Sequence, residues 1–400
     1  MNEREKSQDG NRLLGTPAPF PYATLPRSEQ MENREPLFLT SSFVAESAEH
    51  AALLMSDKIP GNVYTRYTNP TVRSFEMKLA QLEGAQDAVA ASSGMAAIMN
   101  TLFALLKSGD HILCSASVFG SVRGLIENYL NKFGVTHSYV YSTDPTDWGR
   151  EMRDNTRLLF LETPSNPLCE IFCIRQISDL ARQADALLVV DNTVATAALQ
   201  HPLAIGADLV VHSATKYIDG QGRTLGGVVA GRADLVAEIK KFVRSGGACL
   251  SPFNAWMLSS GMETLNIRME AHSARAMKIA EYLCDAPKVA RVFYPGLRSH
   301  HGHDVASLQQ SGFGGMLSFY VDAPKEKVWS FINALSTITK TANIGDARST
   351  VTHPQSTTHN RVPVQEQLRT GITEQLVRLS VGLEPADDLL NDIDNALRQI

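Results

Sequence analysis

The sequence predicts an α/β fold, a mostly parallel sheet covered by helices on both faces, followed by a smaller α+β unit. Three observations carry this. From Pro70 to about Gly261, short apolar runs alternate with amphipathic stretches. The runs are continuously apolar, as strands buried on both faces are. After Gly261 the order changes to helix, strand, strand, helix, strand, helix.

Residues 1–69 read as a partly extended arm. Proline recurs at Pro17, Pro19, Pro21, Pro26 and Pro36, which disfavours long helices. One short helix is expected near Ser47–Ser56. An arm of this kind needs a surface to pack on, so an oligomer is expected. The strands expected next are Ala88–Ala91, Ile112–Cys114, Leu158–Leu161, Leu187–Val190, Leu209–Val211 and Val228–Ala230. Amphipathic helices are expected at Thr71–Glu83, Met95–Lys107, Ser121–Lys132 and Ile174–Ala184. The second unit should hold helices Asn266–Cys284, Lys325–Leu335 and Pro385–Ile400 with strands Val289–Tyr294, Gly315–Val321 and Leu376–Val381. This divides the chain into an arm (1–69), a large domain (70–264) and a C-terminal domain (265–400).

The chain's 400 residues exceed what one core usually serves. A formal net charge of −5 gives no reason to expect nucleic acid or an anionic membrane as partner. No apolar run approaches the roughly 18 residues that span a bilayer. Met1–Asn11 is charged and polar and lacks the apolar stretch of an export signal, so a cytoplasmic location is expected. The five cysteines suit that compartment. Cys169 and Cys173 lack CxxC spacing and read as buried or idle thiols rather than metal ligands. The cluster His300, His301 and His303 reads as a solvated loop, and no metal is expected. Trp148, Trp256 and Trp329 sit in apolar contexts and read as core.

Ligands of open parallel sheets bind beyond the carboxyl ends of the strands. There the sequence places Ser93-Gly94-Met95 before a helix, Glu162 and Asn166, Asp191-Asn192-Thr193, and His212-Ser213-Ala214-Thr215-Lys216. Each group suits one part of pyridoxal phosphate. A phosphate dianion is well placed at a helix N-terminus, and Gly94 lets the backbone approach it closely. Ser213 and Thr215 can add hydroxyl donors. Asp191 is placed to keep the pyridine nitrogen protonated, so that the ring acts as an electron sink. Lys216 supplies the amine for the aldehyde. Taken singly, each has a bland reading: a solvated carboxylate, an exposed lysine, a helix cap. Their joint occurrence, in order and at strand ends, does not.

At these residues the chain resembles the transsulfuration family of pyridoxal-phosphate enzymes. The likeness runs from about Val63 to the C-terminus. Its stretches are Tyr64-Thr65-Arg66-Tyr67-Thr68-Asn69-Pro70-Thr71, Ser92 to Met95, Glu162 to Pro167, Val190 to Thr193, His212 to Tyr217 and Arg378 to Glu384. The resemblance implies the aspartate-aminotransferase-like fold (fold type I), with Lys216 as the cofactor lysine and Asp191 as partner of the ring nitrogen. It makes Gly94, Met95, Ser213 and Thr215 the phosphate cup. Tyr64 and Arg66 would reach the cofactor of a neighbouring subunit, with Tyr64 also catalytic. Asn166 and Arg378 would clamp the substrate α-carboxylate, for which a guanidinium fork is well shaped. A homotetramer built from two tight dimers is implied.

Departures from the family pattern narrow the activity. Phe119 stands where most relatives stack a tyrosine on the ring; it can stack but has no hydroxyl. Proton relay then falls to Lys216, Tyr64 or water. Ser121 replaces the cysteine of methionine γ-lyases. Asn343, near the clamp, is similar to the sulfhydrylases. The stretch from Ala214 to Arg223, with Phe119, is most similar to the members that act on succinyl esters, and this resemblance implies γ-replacement on O-succinylhomoserine by sulfide. The alternatives are cystathionine γ-synthesis with cysteine, use of an acetyl ester, and γ-lyase activity. Outside the family, Ser213-x-x-Lys216 matches the penicillin-binding signature but lacks its companion motifs. The glycines from Gly220 to Gly226 have the wrong spacing for a nicotinamide loop.

Overall fold

The computed structural model describes Pro21 and residues 27–400. The prolines at 17, 19 and 26 and the polar stretch Met1–Asn11 lie outside these residues. From residue 27 the chain runs largely without regular structure to α1 (Ala48–Met55) and a single antiparallel bridge between Ser42 and Tyr64. The expected short helix is therefore present.

The large sheet has seven strands: β1 (Asp87–Ala91), β2 (His111–Ser115), β3 (Thr136–Val140), β4 (Thr156–Glu162), β5 (Leu187–Asp191), β6 (Leu209–Ser213) and β7 (Gly227–Gly231). Their order is β1-β7-β6-β5-β4-β2-β3. Only β7 runs antiparallel to its neighbours, β1 and β6. The helices of this part are α2 (Pro70–Glu83), α3 (Gly94–Leu105), α4 (Gly120–Asn128), α5 (Pro145–Glu151), α6 (Ile174–Gln183), α7 (Thr196–Leu199), α8 (Ala233–Gly246) and α9 (Pro252–Met262). They cover both faces. Phe75, Leu79 and Leu258 pack on one side, and Ile98, Val122 and Val236 on another. Leu158–Leu161 is fully buried, as the unbroken apolar run requires.

The termini of α2 and α3 follow from local chemistry. Asn69 Oδ1 accepts from the amides of Thr71 and Val72, and Pro70 occupies the first turn, where its missing N–H costs nothing. Gly84 ends α2 at φ +67°, a conformation that glycine adopts freely. Ser93 Oγ caps α3 by accepting from Ala96 N at 3.1 Å.

The smaller unit begins with α10 (Leu265–Asp285). Its sheet contains β8 (Val289–Phe293), β9 (Met316–Val321), β10 (Thr339–Lys340), β11 (Thr350–Thr352) and β12 (Leu376–Ser380), ordered β10-β11-β12-β9-β8. Helices α11 (His303–Gln309), α12 (Lys325–Ala334), α13 (Val364–Arg369) and α14 (Ala386–Arg398) complete it. Phe319, Phe331, Leu389 and Ile393 form its core.

Several expectations need correction. Strand β3 was not anticipated, because Thr136–Val140 mixes polar and half-buried residues. Helices α5, α7, α8, α9, α11 and α13 and the short strands β10 and β11 also add to the expected set. Trp148 is fully buried, but Trp256 is 37% exposed and Trp329 41%, so neither is core. Trp329 instead carries Lys325 Nζ over its ring at 4.6 Å. Among the described residues, no helix is long and apolar enough to cross a membrane.

Candidate active site

The C-terminal ends of β4, β5 and β6 and the N-terminus of α3 open onto one cavity of about 520 Å³. Loops of the smaller unit, carrying Asn343 and Thr358, and Arg378 on β12 close its other side. All the residues proposed from the sequence line it except Tyr64 and Arg66.

Gly94 starts α3 beside Ser213. A Cβ at Gly94 would stand 2.6 Å from Ser213 Cβ, so only glycine allows this approach. Met95, Ser213 and Thr215 surround the same corner. Asp191 ends β5 and is 7% exposed. Its Oδ1 accepts from Thr193 N at 2.9 Å. Burial raises its pKa, and the bonds to Thr193 oppose that rise. Thr193 Oγ1 in turn accepts from Ser213 N at 2.8 Å, tying the Asp191 turn to the Lys216 loop.

Lys216 Nζ donates to Asn343 Oδ1 at 2.7 Å. Burial, assisted by the Arg378 charge, brings its pKa down to about 8. Arg378 is 1% exposed. Nη1 donates to Asn166 Oδ1 at 3.1 Å, and Nη2 to the carbonyls of Ala342 and Asn343 at 2.8 and 3.2 Å. Its Nε is buried without a hydrogen-bond partner, and none of its three bonds goes to a carboxylate. A buried guanidinium in this state is short of an anion. Burial lowers its pKa to about 10.

Tyr64 and Arg66 stand apart. Tyr64 is 43% exposed. Arg66 donates to the carbonyl of Arg244, stacks on Tyr67 at 4.7 Å and lines a separate cleft of about 430 Å³. Sequence reasoning placed Glu162 and Thr193 at strand ends without giving them a role, and it missed Thr358; all three line the cavity. Glu162 sits at the end of an apolar run, as Asp191 does, and that parallel was the available signal. The histidine cluster is engaged locally: His300 Nδ1 accepts from Gly302 N at 3.1 Å, and His303 Nδ1 lies 2.8 Å from Pro295 O. No group of three metal-ligating side chains occurs among the described residues.

Pyridoxal phosphate fits these groups part by part. The glycine cradle at α3 would take the phosphate, Asp191 the ring nitrogen and Lys216 the aldehyde, and the unmatched Arg378 would take the carboxylate of an amino acid.

The fold and cavity thus define a class, enzymes that work on amino acids through pyridoxal phosphate held at the edge of a parallel sheet. Within that class, the chain belongs to the Cys/Met metabolism PLP-dependent enzyme family, whose model matches residues 24–398. It is 48% identical over 371 residues to O-succinylhomoserine sulfhydrylase of Pseudomonas aeruginosa, covering 93% of this chain and 92% of that protein. It is 39% identical over 368 residues to L-methionine gamma-lyase of Fusobacterium nucleatum, covering 91% and 93%. A crystal structure of cystathionine gamma synthase from Xanthomonas oryzae, in complex with aminoacrylate and cysteine, superposes with a TM-score of 0.89 at 34% identity. The match covers 93% of this chain and 95% of that one.

Proposed function

We propose that the protein replaces the succinyl group of O-succinylhomoserine with sulfide, giving homocysteine and succinate. The observation that carries the amino-acid chemistry is Arg378, fully buried and lacking an anion, beside the lowered-pKa amine of Lys216. The choice of reaction is supported by relatives of 48% and 41% identity that bear the sulfhydrylase name, and by Phe119, Ser121 and Asn343.

Bound pyridoxal phosphate supplies an aldehyde for the substrate amine and a ring that accepts electrons from Cα. Lys216 would hold that aldehyde at rest. Its amine, when free, would serve as the base for the Cα proton; a pKa near 8 makes the neutral amine accessible. Asn343 orients Nζ, and Asp191 would keep the ring nitrogen protonated. Arg378 and Asn166 hold the α-carboxylate. In balance, the Cγ–O bond to succinate breaks and a Cγ–S bond to HS⁻ forms, the protons taken from Cα and Cβ being returned to carbon.

Phe119 would be the aromatic plate over the cofactor ring. Gly94, Met95, Ser213 and Thr215 would hold the phosphate. Tyr64 and Arg66 serve the cavity of a neighbouring subunit, and their distance from their own cavity supports this. The assembly is a homotetramer of two dimers, with residues 1–69 as the shared arm and residues 70–264 and 265–400 as the two domains. Its location is cytoplasmic. The second reading is cystathionine γ-synthesis, favoured by the likeness to the Xanthomonas enzyme. An acetyl ester or a γ-lyase reaction would use the same core residues. One experiment tests the scheme: equimolar release of succinate and homocysteine from O-succinylhomoserine and sulfide. Succinate without homocysteine points to elimination instead.

A further inference from the structure

Glu162 ends β4 directly beside Asp191, its partner in register across the β4–β5 pair. It is 5% exposed and lines the cavity, yet no step above uses it. Its two oxygens are divided between two loops. Oε2 accepts from Phe119 N at 3.0 Å, in the turn that begins α4. Oε1 accepts from Asn166 N at 3.1 Å, in the loop after β4. Asn166 then passes the connection on, its Oδ1 accepting from Arg378 Nη1 at 3.1 Å. One side chain thus joins the aromatic that faces the cavity to the guanidinium on the second sheet.

The chemistry selects a carboxylate. Two backbone N–H groups converge on one side chain, and a carboxyl group offers each of them an acceptor oxygen. Glutamine could satisfy one amide, but it would turn its own N–H groups toward the other. Placing two carboxylates at adjacent buried strand ends is costly. Burial first, and then the neighbouring Asp191, raise the Glu162 carboxyl well above the usual carboxylate range, although the two amide bonds and Arg378 draw it down in part. A loop staple alone would not need a second acid at the neighbouring strand end.

We propose that Glu162 is a positioning residue that fixes the spacing between the Phe119 plate and the Asn166–Arg378 clamp. It acts through these groups and does not touch substrate. The proposal rests on the reading of the cavity as the cofactor and substrate site.

The test uses the cofactor-loaded enzyme and Glu162→Gln, alone and combined with Asn166→Ala. Cofactor content, Tm, KM for O-succinylhomoserine and kcat are measured for each. The expected result is unchanged cofactor content with KM raised on the order of tenfold, because one amide bond of the clamp is lost. The double variant should be little worse than Asn166→Ala alone, since both changes act through one clamp. KM and kcat within about twofold of wild type would overturn the proposal, as would effects of the two changes that multiply fully. A merely structural role would lower Tm and leave KM of the folded enzyme unmoved. If Glu162→Gln does not accumulate, a crystal structure of wild-type enzyme with cofactor and a non-reacting amino-acid analogue decides. Both amide bonds kept within about 3.3 Å is the expected result, and a carboxylate turned from either amide overturns it. A ring bound away from Phe119 and Asp191 overturns the site reading as well, which the kinetic result alone does not.

Discussion

Lys216 Nζ and Asn343 Oδ1 meet at 2.7 Å, across 127 residues of chain. The contact joins the large sheet to the smaller unit at the reacting amine. Asn343 is a neutral acceptor, so it orients the amine without holding its proton as a carboxylate would.

A pH prediction follows from that neutrality. In the cofactor-free protein, the Lys216 amine must be uncharged to capture the aldehyde. Capture of added pyridoxal phosphate should therefore accelerate as pH rises through about 8. Asn343→Asp places a negative charge beside the ammonium and favours the charged form. The rise should then move upward by on the order of one pH unit. An unshifted profile would show that Asn343 does not face the working amine.

Lys216→Ala should abolish turnover, since anchor and base are the same atom. Asp191→Ala should fold but lose activity by on the order of a hundredfold or more, because the ring nitrogen loses its buried anion. Steady-state rates measured at saturating cofactor check both. Near-wild-type turnover in either variant contradicts the role given to that residue.

Arg378→Lys should not rescue the clamp. A lysine ammonium keeps the charge but cannot bond Asn166, the Ala342 and Asn343 carbonyls and a carboxylate in one plane. KM for the amino-acid substrate should rise by roughly ten- to a hundredfold, the worth of one or two charge-assisted bonds. A KM equal to that of wild type would remove Arg378 from carboxylate binding.

Shared sites can be read by complementation. Arg66→Ala and Lys216→Ala subunits should each be inactive or nearly so as pure assemblies. Mixed by co-expression, half of the dimers pair unlike chains, and each such dimer rebuilds one intact site. Activity should then return to about a quarter of wild type. No recovery would place Arg66 outside the neighbour's site.

The sequence was most legible where function and burial coincide. The apolar runs of β4, β5 and β6 end on Glu162, Asp191 and Ser213, and their polar tips mark the cavity. Gly94 was readable because a helix N-terminus and a glycine point to phosphate together. Glu162 was visible as a residue, but its bonds to Phe119 and Asn166 depend on two loops whose paths only the fold fixes. The Arg378–Asn166 bond spans 212 residues, so only the family resemblance paired the two. Strand β3 was hidden because its residues are only half buried. Trp256 misled because an apolar neighbourhood along the chain does not determine which way a helix faces.

The most direct test of the central claim is a product assay on the purified enzyme. O-succinylhomoserine is supplied with sulfide or with L-cysteine in parallel, and kcat/KM is compared for the two nucleophiles. Efficient formation of homocysteine with sulfide and little cystathionine with cysteine is the expected result. The reverse preference would make the protein a cystathionine γ-synthase and show that Phe119 and Asn343 do not select the nucleophile.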